Sequence, residues 1–469
     1  MILKNNSHVH LIGICGTAMA SLAGLFKSLG HKVTGSDQNV YPPMSTQLND
    51  LKIDIMQGYK KENLNPRPDL VIVGNVVSRN NEEAAALLET DIPYTSLPKA
   101  MGEFAIGNRS SIIAAGTHGK TTVTTMMIKV ADQCGVKPGY MVGGIPVETG
   151  RSFRLAEGDY FIIEGDEYDT AFFDKVPKFI HYKPKYVILT SIEFDHADIY
   201  KDLDDVKRAF RMLIERIPAD GLLVACADCK NVIELAREAK CKVVTYGTQK
   251  ADYQVVEREM IDGRNHFSVQ FNNKKIADIA IKSPGEHNAL NALSTFVIAK
   301  ELGWSVTSAL QGLASYQGVK RRQEVIGTPH GVTLIEDFAH HPTAVKVTTE
   351  AIREKYIAVG GGRLFCLFEP RSATSRRKIF QKDYVKAFKA GDKILIAKAY
   401  DQSKISESDR FSSHDLVQDL KASGQDAAEF DSADAMVAHL KTTVKKDDVV
   451  LIMSNGGFDG IYKKLQEML

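Results

Sequence analysis

The stretch Gly116-Thr117-His118-Gly119-Lys120-Thr121-Thr122 stands between a β-branched apolar run, residues 110–115, and a helix-like segment, residues 120–133. A strand that feeds through a glycine turn into a helix must let that helix pack back on its sheet. The next strand then runs parallel to the first. Backbone N–H groups of the turn and of the free helix N-terminus can surround phosphate oxygens. Lys120 would neutralise β- and γ-phosphate charge, and the Thr121 hydroxyl is placed to ligate Mg²⁺. The general pattern asks for a further glycine where Ala114 stands. The alternative is a structural glycine turn with an exposed lysine; the fit of both flanking elements weighs against it.

Short β-branched runs alternate with helix-like stretches through most of the chain, which predicts α/β units with parallel sheets. At about 150 residues per domain, 469 residues predict about three domains. A new unit is expected near Asn108 and a third near Glu324, giving domains at 1–108, 109–323 and 324–469. Expected strands are 9–12, 70–73, 110–115, 160–163, 186–190, 332–335, 364–368, 394–397 and 449–453. Helices are expected at 18–29 and 460–469, and loops at Tyr41-Pro42-Pro43 and Pro66-Arg67-Pro68. Residues 251–281 alternate with period two, as in His266-Phe267-Ser268-Val269-Gln270-Phe271, and predict antiparallel hairpins attached to the middle domain.

Lys plus Arg (59) and Asp plus Glu (58) nearly cancel. That balance argues against a polyanion-binding surface and excludes nucleic acid as the main partner. The six cysteines are few and scattered, as in reduced, cytosolic proteins. Cys226 and Cys229 form a C-x-x-C without a second pair at zinc spacing, so a core or surface thiol pair outweighs a metal or redox role. No apolar run reaches the ~18 residues of a membrane span. The first residues do not resemble a signal peptide. A cytoplasmic protein is expected, with its oligomeric state left open.

Acidic residues close two further strands. One ends in Glu164-Gly165-Asp166-Glu167-Tyr168-Asp169, the next in Glu193-Phe194-Asp195-His196-Ala197-Asp198. Carboxylates at such edges are oxygen ligands for a nucleotide's Mg²⁺ or Mn²⁺, and His196 beside them reads as a metal ligand rather than polar surface. Near the N-terminus, Gly13-Ile14-Cys15-Gly16-Thr17-Ala18 opens a helix, and Asp37 follows about 20 residues on, as in a dinucleotide fingerprint. Yet Cys15 and Ala18 stand where two of the three glycines belong. A structural βα turn and a nucleotide-diphosphate site both remain open.

Taken in order, several motifs resemble those of Mur ligases, ATP-dependent enzymes that form amide bonds in peptidoglycan assembly. They are the Gly116–Thr122 loop, the Glu164 and Asp195-His196-Ala197-Asp198 segments, Gly285-Glu286-His287-Asn288-Ala289-Leu290-Asn291-Ala292, Lys320-Arg321-Arg322, and Glu336-Asp337-Phe338-Ala339-His340-His341-Pro342-Thr343. The resemblance runs over essentially the whole chain. It implies a Rossmann-like N-terminal domain, a central P-loop ATPase-type domain with added hairpins, and a Rossmann-like C-terminal domain.

Within that family, certain stretches resemble the branch that recycles wall peptide by joining UDP-N-acetylmuramate to L-Ala-γ-D-Glu-meso-diaminopimelate. They are Gly13-Ile14-Cys15-Gly16-Thr17, the run from Gly35-Ser36-Asp37 through Tyr41-Pro42-Pro43-Met44 to Thr46, Phe368-Glu369-Pro370-Arg371-Ser372 and Met453-Ser454-Asn455-Gly456-Gly457-Phe458. The branch adding single L-alanine usually has glycine at Cys15 and lacks the Pro-Pro-Met and Ser-Asn-Gly-Gly-Phe segments. It is the nearest alternative. A P-loop switch protein and a nicotinamide dehydrogenase are further ones.

The resemblance implies an acyl phosphate made from ATP on the muramate carboxylate, then amine attack, with a third domain swinging shut. Lys120 would serve the phosphates with Gly116, Thr117, His118, Gly119, Thr121 and Thr122. Thr121 and Glu164 would hold one Mg²⁺ (or Mn²⁺), and His196 with Glu164 a second divalent ion. Asn288 and Asn291 would lie at adenine, Arg322 at phosphate and Asp337 at ribose; His287 is equally a structural residue. Gly13, Cys15, Gly16, Thr17, Asp37 and Ser78 would hold the UDP-sugar. Arg371, with Ser454 and Asn455 beside it, would read the peptide's carboxylates, a surface arginine being the alternative. His341 or His340 would help deprotonate the amine, or serve structure. The position where some members carry a carbamylated lysine falls near Arg211, and no such modification is expected.

Overall fold

The computed structural model describes residues 3–40 and 44–468. Tyr41-Pro42-Pro43 and Leu469, which the sequence placed in a loop and in the last helix, lie outside the described residues. The fold divides into two compact units. The first holds the chain up to Glu193 with Leu203–Tyr253 and Ser294–Gly312; the second holds Phe194–Asp202, Gln254–Leu293 and the chain from Leu313 on.

The first unit contains two sheets. One is built from β1 (His8–Ile12), β2 (Lys32–Asp37), β3 (Asp54–Gln57), β4 (Leu70–Val73) and β5 (Tyr94–Ser96), all parallel, in the order β3-β2-β1-β4-β5. Every residue of β4 is buried, as helices on both faces of a parallel sheet require. Strand order reverses between β1 and β4, so a crevice opens beyond their carboxyl ends.

The other sheet uses β6 (Ser110–Ala115), β7 (Gly139–Met141), β8 (Phe153–Arg154) and β9 (Tyr160–Gly165). A small hairpin, β10 (Asp169–Ala171) with β11 (Asp174–Pro177), stands apart from it. It is completed by β12 (Pro184–Leu189), β13 (Leu222–Cys226) and β14 (Lys242–Gly247), in the order β14-β13-β12-β6-β9-β7-β8 within this unit. β6 lies between β12 and β9, parallel to both. The strand 110–115 and the helix Lys120–Gln133 stand where the sequence placed them. β9 runs two residues further than expected and carries Glu164 inside it.

The second unit holds the expected hairpins: β15 (Tyr253–Ile261, after its first residue), β16 (Arg264–Phe271) and β17 (Lys274–Ile281). Asp262-Gly263 and Asn272-Asn273 turn them with positive φ at both positions, as two-residue hairpin turns demand. Its larger sheet takes β18 (Glu324–Gly327), β19 (Thr333–Asp337), β20 (Leu364–Phe368), β21 (Lys393–Ala397), β22 (Ala427–Phe430) and β23 (Val449–Met453), in the order β18-β19-β23-β20-β21-β22. Only the edge strand β18 is antiparallel among its pairings. Apolar clusters around Phe368 and Tyr384 on one face, and Phe365 and Leu440 on the other, enclose it. The last helix is Ile461–Met468. No helix among the described residues is long and apolar enough to cross a membrane.

Candidate active site

At the carboxyl edge of β6 the chain turns through Gly116, with φ at +131°, and Gly119, with φ at +82°. A Cβ on Gly116 would collide with Thr190 Oγ1 and Ser191, so the loop passes against the segment after β12 only because no side chain intervenes. That segment holds the loop in turn. Thr117 N–H donates to Ser191 O at 2.9 Å, His118 N–H to Ser191 Oγ at 3.0 Å, and Glu193 N–H to Thr117 Oγ1 at 2.8 Å. The His118 ring stands 3.3 Å from a Glu193 oxygen.

Register places Glu164 on β9 beside Ala114 on β6. Thr121 Oγ1 therefore donates to Glu164 Oε2 at 3.1 Å, while Gly143 N–H donates to Oε1 at 2.7 Å. A hydroxyl and a carboxylate so placed are the hard oxygen donors that Mg²⁺ takes. The Lys120 ammonium donates to both Glu167 oxygens, at 2.9 and 3.1 Å, and to Gly116 O at 2.7 Å. Burial by itself would lower its pKa, but Glu167, Asp166 and Glu164 outweigh that and raise it above the ordinary lysine value. Glu167 was not singled out from the sequence. Its only signal was its place in an acidic string, which does not say which carboxylate meets the lysine.

The N-terminal set gathers at the carboxyl edge of β1, β2 and β4. Gly13, with φ at +85°, and Gly16 frame the turn, and Thr17 begins the helix Thr17–Ser28. Asp37 is 8% exposed and accepts N–H groups from Cys15 and Asn39, each at 2.9 Å, so its carboxylate ties two loops together. Burial, with Asp37 adding, pushes the Cys15 thiol up to about 11 and the Tyr59 phenol to about 12. Ser78 is exposed in the loop after β4. The C-x-x-C divides: Cys226 ends β13 in the core, and Cys229 is the N-cap residue of the helix Lys230–Ala236, its Sγ 3.4 Å from Ile192 N. Arg211 pairs with Glu238.

The second unit joins the residues expected at adenine and ribose. Asn291 Nδ2 donates to Asn288 Oδ1 at 3.2 Å, Asn288 Nδ2 to Gln323 Oε1 at 3.0 Å, and Gln323 N–H to Asp337 Oδ2 at 2.8 Å. Gln323, the link, was missed because nothing in K-R-R-Q marks it. Burial raises the Asp337 pKa, opposed by the neighbouring Arg322 guanidinium, which lies 4.7 Å from the Phe338 ring centre. His287 Nε2 stands 3.3 Å from Gln323 Nε2.

Within the same unit His196 adopts a left-handed φ of +56° beside the buried Asp195. Asp195 accepts from Thr374 Oγ1 and His196 N–H, both at 2.7 Å, and faces His340 Nε2 at 3.7 Å. Burial would raise this carboxyl; His340, His196 and His341 more than offset it and hold it well below the usual carboxylate range. His341 caps the helix Pro342–Ile352. Its Nδ1 accepts Thr343 N–H at 3.3 Å, leaving Nε2 to donate to Phe194 O at 3.2 Å. Both His341 ring nitrogens are engaged in this way.

β19, β23 and β20 are neighbours, and their carboxyl ends bring Asp337, Ser454 and Arg371 to one edge. Arg371 Nη1 donates to Glu369 Oε1 at 3.2 Å, with its guanidinium 3.7 Å from the Tyr400 ring centre. Ser454 Oγ donates to the other Glu369 oxygen at 2.5 Å. Asn455 Oδ1 is a buried oxygen without a hydrogen-bond partner among the described residues. Glu369 and Arg321 stand in motifs quoted from the sequence but had no role assigned to them there. Arg321 bridges Glu336 (2.5 Å) and Gly456 O (2.6 Å).

Comparison with known proteins gives three family models in series. They are "Mur ligase family, catalytic domain" over residues 8–109, "Mur ligase middle domain" over 114–299, and "Mur ligase, glutamate ligase domain" over 321–456. The UDP-N-acetylmuramate–L-alanyl-γ-D-glutamyl-meso-2,6-diaminoheptandioate ligase of Escherichia coli K12 is 38% identical over 98% of both chains. A UDP-N-acetylmuramate–L-alanine ligase of Clostridium botulinum strain Hall is 33% identical, over 98% of this chain and 97% of its own. Among solved structures, a murein peptide ligase from Psychrobacter arcticus 273-4 matches with a TM-score of 0.73 and 33% identity over 98% of each chain. By these matches the chain belongs to the Mur ligase family.

Proposed function

We propose that this chain joins the lactyl carboxylate of UDP-N-acetylmuramate to the amine of L-alanyl-γ-D-glutamyl-meso-diaminopimelate, with ATP cleaved to ADP and phosphate. The observation that carries the ATP chemistry is the convergence of Lys120, Thr121 and Glu164 at one sheet edge. The choice of substrates rests on the Escherichia coli relative of that printed activity.

A carboxylate does not acylate an amine in water, because its oxygen leaves poorly. Attack of that oxygen on the γ-phosphorus forms a C–O–P bond and releases ADP. The amine nitrogen then attacks the acyl carbon, and phosphate departs carrying the oxygen. The first step brings anions together, so fixed positive groups must meet them. Lys120 supplies one, with the loop N–H groups of residues 119–122 around the phosphates; those of Thr117 and His118 are donated to Ser191. Thr121 and Glu164 are the ligands for Mg²⁺, which when bound neutralises phosphate charge; His196 is assigned to a second divalent ion.

Asn288, Asn291, Arg322 and Asp337 are assigned to the nucleotide. Gly13, Cys15, Gly16, Thr17, Asp37 and Ser78 are assigned to the UDP-sugar, and Arg371, Ser454 and Asn455 to the peptide. These roles follow domains at 1–108, 109–323 and 324–469. Six free cysteines fit a reducing compartment, and the site of action is assigned to the cytoplasm.

A second reading, L-alanine as the amine, draws on the 33% identity to the Clostridium enzyme. Offering each amine separately with UDP-N-acetylmuramate and ATP, and weighing the product by mass spectrometry, decides between them. Only the tripeptide product is expected. Oxygen-18 in the muramate carboxylate is expected to reach inorganic phosphate, and its absence there would refute the acyl phosphate.

A further inference from the structure

Lys120 reaches the phosphate loop already engaged. Its ammonium has three hydrogens, and four oxygens surround it: both of Glu167, Gly116 O at 2.7 Å and Thr117 O at 3.4 Å. The Glu167 side chain is 1% exposed and that of Lys120 15% exposed, so water contributes little to this cage. A phosphate oxygen that takes a hydrogen from this ammonium must take it from one of those acceptors. The backbone carbonyls are fixed by the loop; the carboxylate stands on a side chain that can rotate.

We propose that Glu167 is an internal stand-in for the nucleotide's terminal phosphates: it neutralises Lys120 and is exchanged for phosphate when nucleotide binds. The pairing has a physical reason. A lysine so enclosed needs an anion at all times, and a carboxylate with two oxygens on one ammonium presents the same chemistry as a phosphate edge. The cost is competition. Every nucleotide must break the Lys120–Glu167 contact and accept a buried carboxylate near its own negative charge. Asp166, the neighbouring acid, does not share this role, because it is paired with Lys178 at 2.7 Å. Glu167 therefore sets nucleotide affinity from inside the site, keeping it weaker than the loop alone would give.

This inference rests on reading the loop as the ATP site. Titration of the full-length wild-type protein with Mg²⁺ and a non-hydrolysable ATP analogue tests that reading first; no binding there refutes the reading itself. Where wild type binds, Glu167→Gln is expected to bind the analogue about tenfold more tightly, about 1.4 kcal/mol. Equal or weaker binding by a Glu167→Gln protein with wild-type circular dichroism would overturn the proposal. A crystal structure of the wild-type complex gives a second readout that does not need the variant to fold. Lys120 Nζ is expected beyond about 4 Å from both Glu167 oxygens. Retention of that ion pair with phosphate also on Lys120 would make Glu167 a positioning residue instead.

Discussion

Gly456 lies directly against the Arg371 side chain: a Cβ there would overlap the arginine's Cδ, Nε and Cζ atoms. The missing side chain, the Tyr400 ring and Glu369 together decide where the guanidinium stands.

Gly456→Ala is accordingly expected to push Arg371 off the Tyr400 ring. If Arg371 reads a substrate carboxylate, the KM for the tripeptide rises by about tenfold or more, the scale of a lost charge-assisted hydrogen bond. The KM for ATP stays within about twofold. Initial-rate kinetics with each substrate varied in turn check this, and an unchanged peptide KM would remove Arg371 from the peptide site.

Lys120→Ala removes a side-chain cation seated on the loop carbonyls. ATP-dependent phosphate release is expected to fall by about a thousandfold or more, the scale of losing a preorganised electrostatic group. Wild-type circular dichroism would show that the loss is local. Turnover that survives would show that another group carries the phosphates.

Gln323 is the link between Asn288 and Asp337. Its side chain, not its backbone, holds Asn288, so Gln323→Ala leaves the Asp337 contact and frees the asparagine amide. A rise of about fivefold to tenfold in the KM for ATP is expected, about one hydrogen bond's worth. Constant KM values would make the pair purely structural.

Asp448 ties β20 to β23 by accepting from the Arg363 guanidinium at 2.6 and 3.2 Å and from backbone N–H groups of Arg363 and Lys445. Burial would raise its pKa, but Arg363 and those N–H groups lower it. A depressed folded pKa gives stability that is fully present above the unfolded value of about 3.9 and is lost as pH falls through the folded value. Asp448→Asn is expected to cost about 1–3 kcal/mol at pH 7. Thermal or urea unfolding from pH 7 to pH 3 checks the sign: the gap between wild type and variant closes toward the acid end. A gap that widens there would contradict it.

Much of the architecture was legible because its signals are local. A glycine turn between an apolar run and a helix needs no distant partner to be recognised, and the helix Lys120–Gln133 stands where the pattern put it. The period-two alternation of residues 251–281 marked the hairpins for the same reason. Other elements carried weaker signals: β10, β11 and β22 have four residues or fewer, and β18 joins its sheet antiparallel at an edge. Side-chain partners were less legible still. The string from Glu164 to Asp169 contains four carboxylates within six residues, and spacing alone cannot say that Glu164 meets Thr121 while Glu167 meets Lys120.

By itself, the order of residues determined the strand–turn–helix that can hold phosphate, the alternation of units and the family pattern, since each depends on neighbours along the chain. That Gln323 joins Asn288 to Asp337, that His341 caps a helix, and that Lys120 is held by Glu167 depends on how the strands come together in the fold. Those contacts arise where strands distant in sequence end side by side. Which side chains meet there is set by sheet register and by the absence of a Cβ at positions such as Gly116 and Gly456.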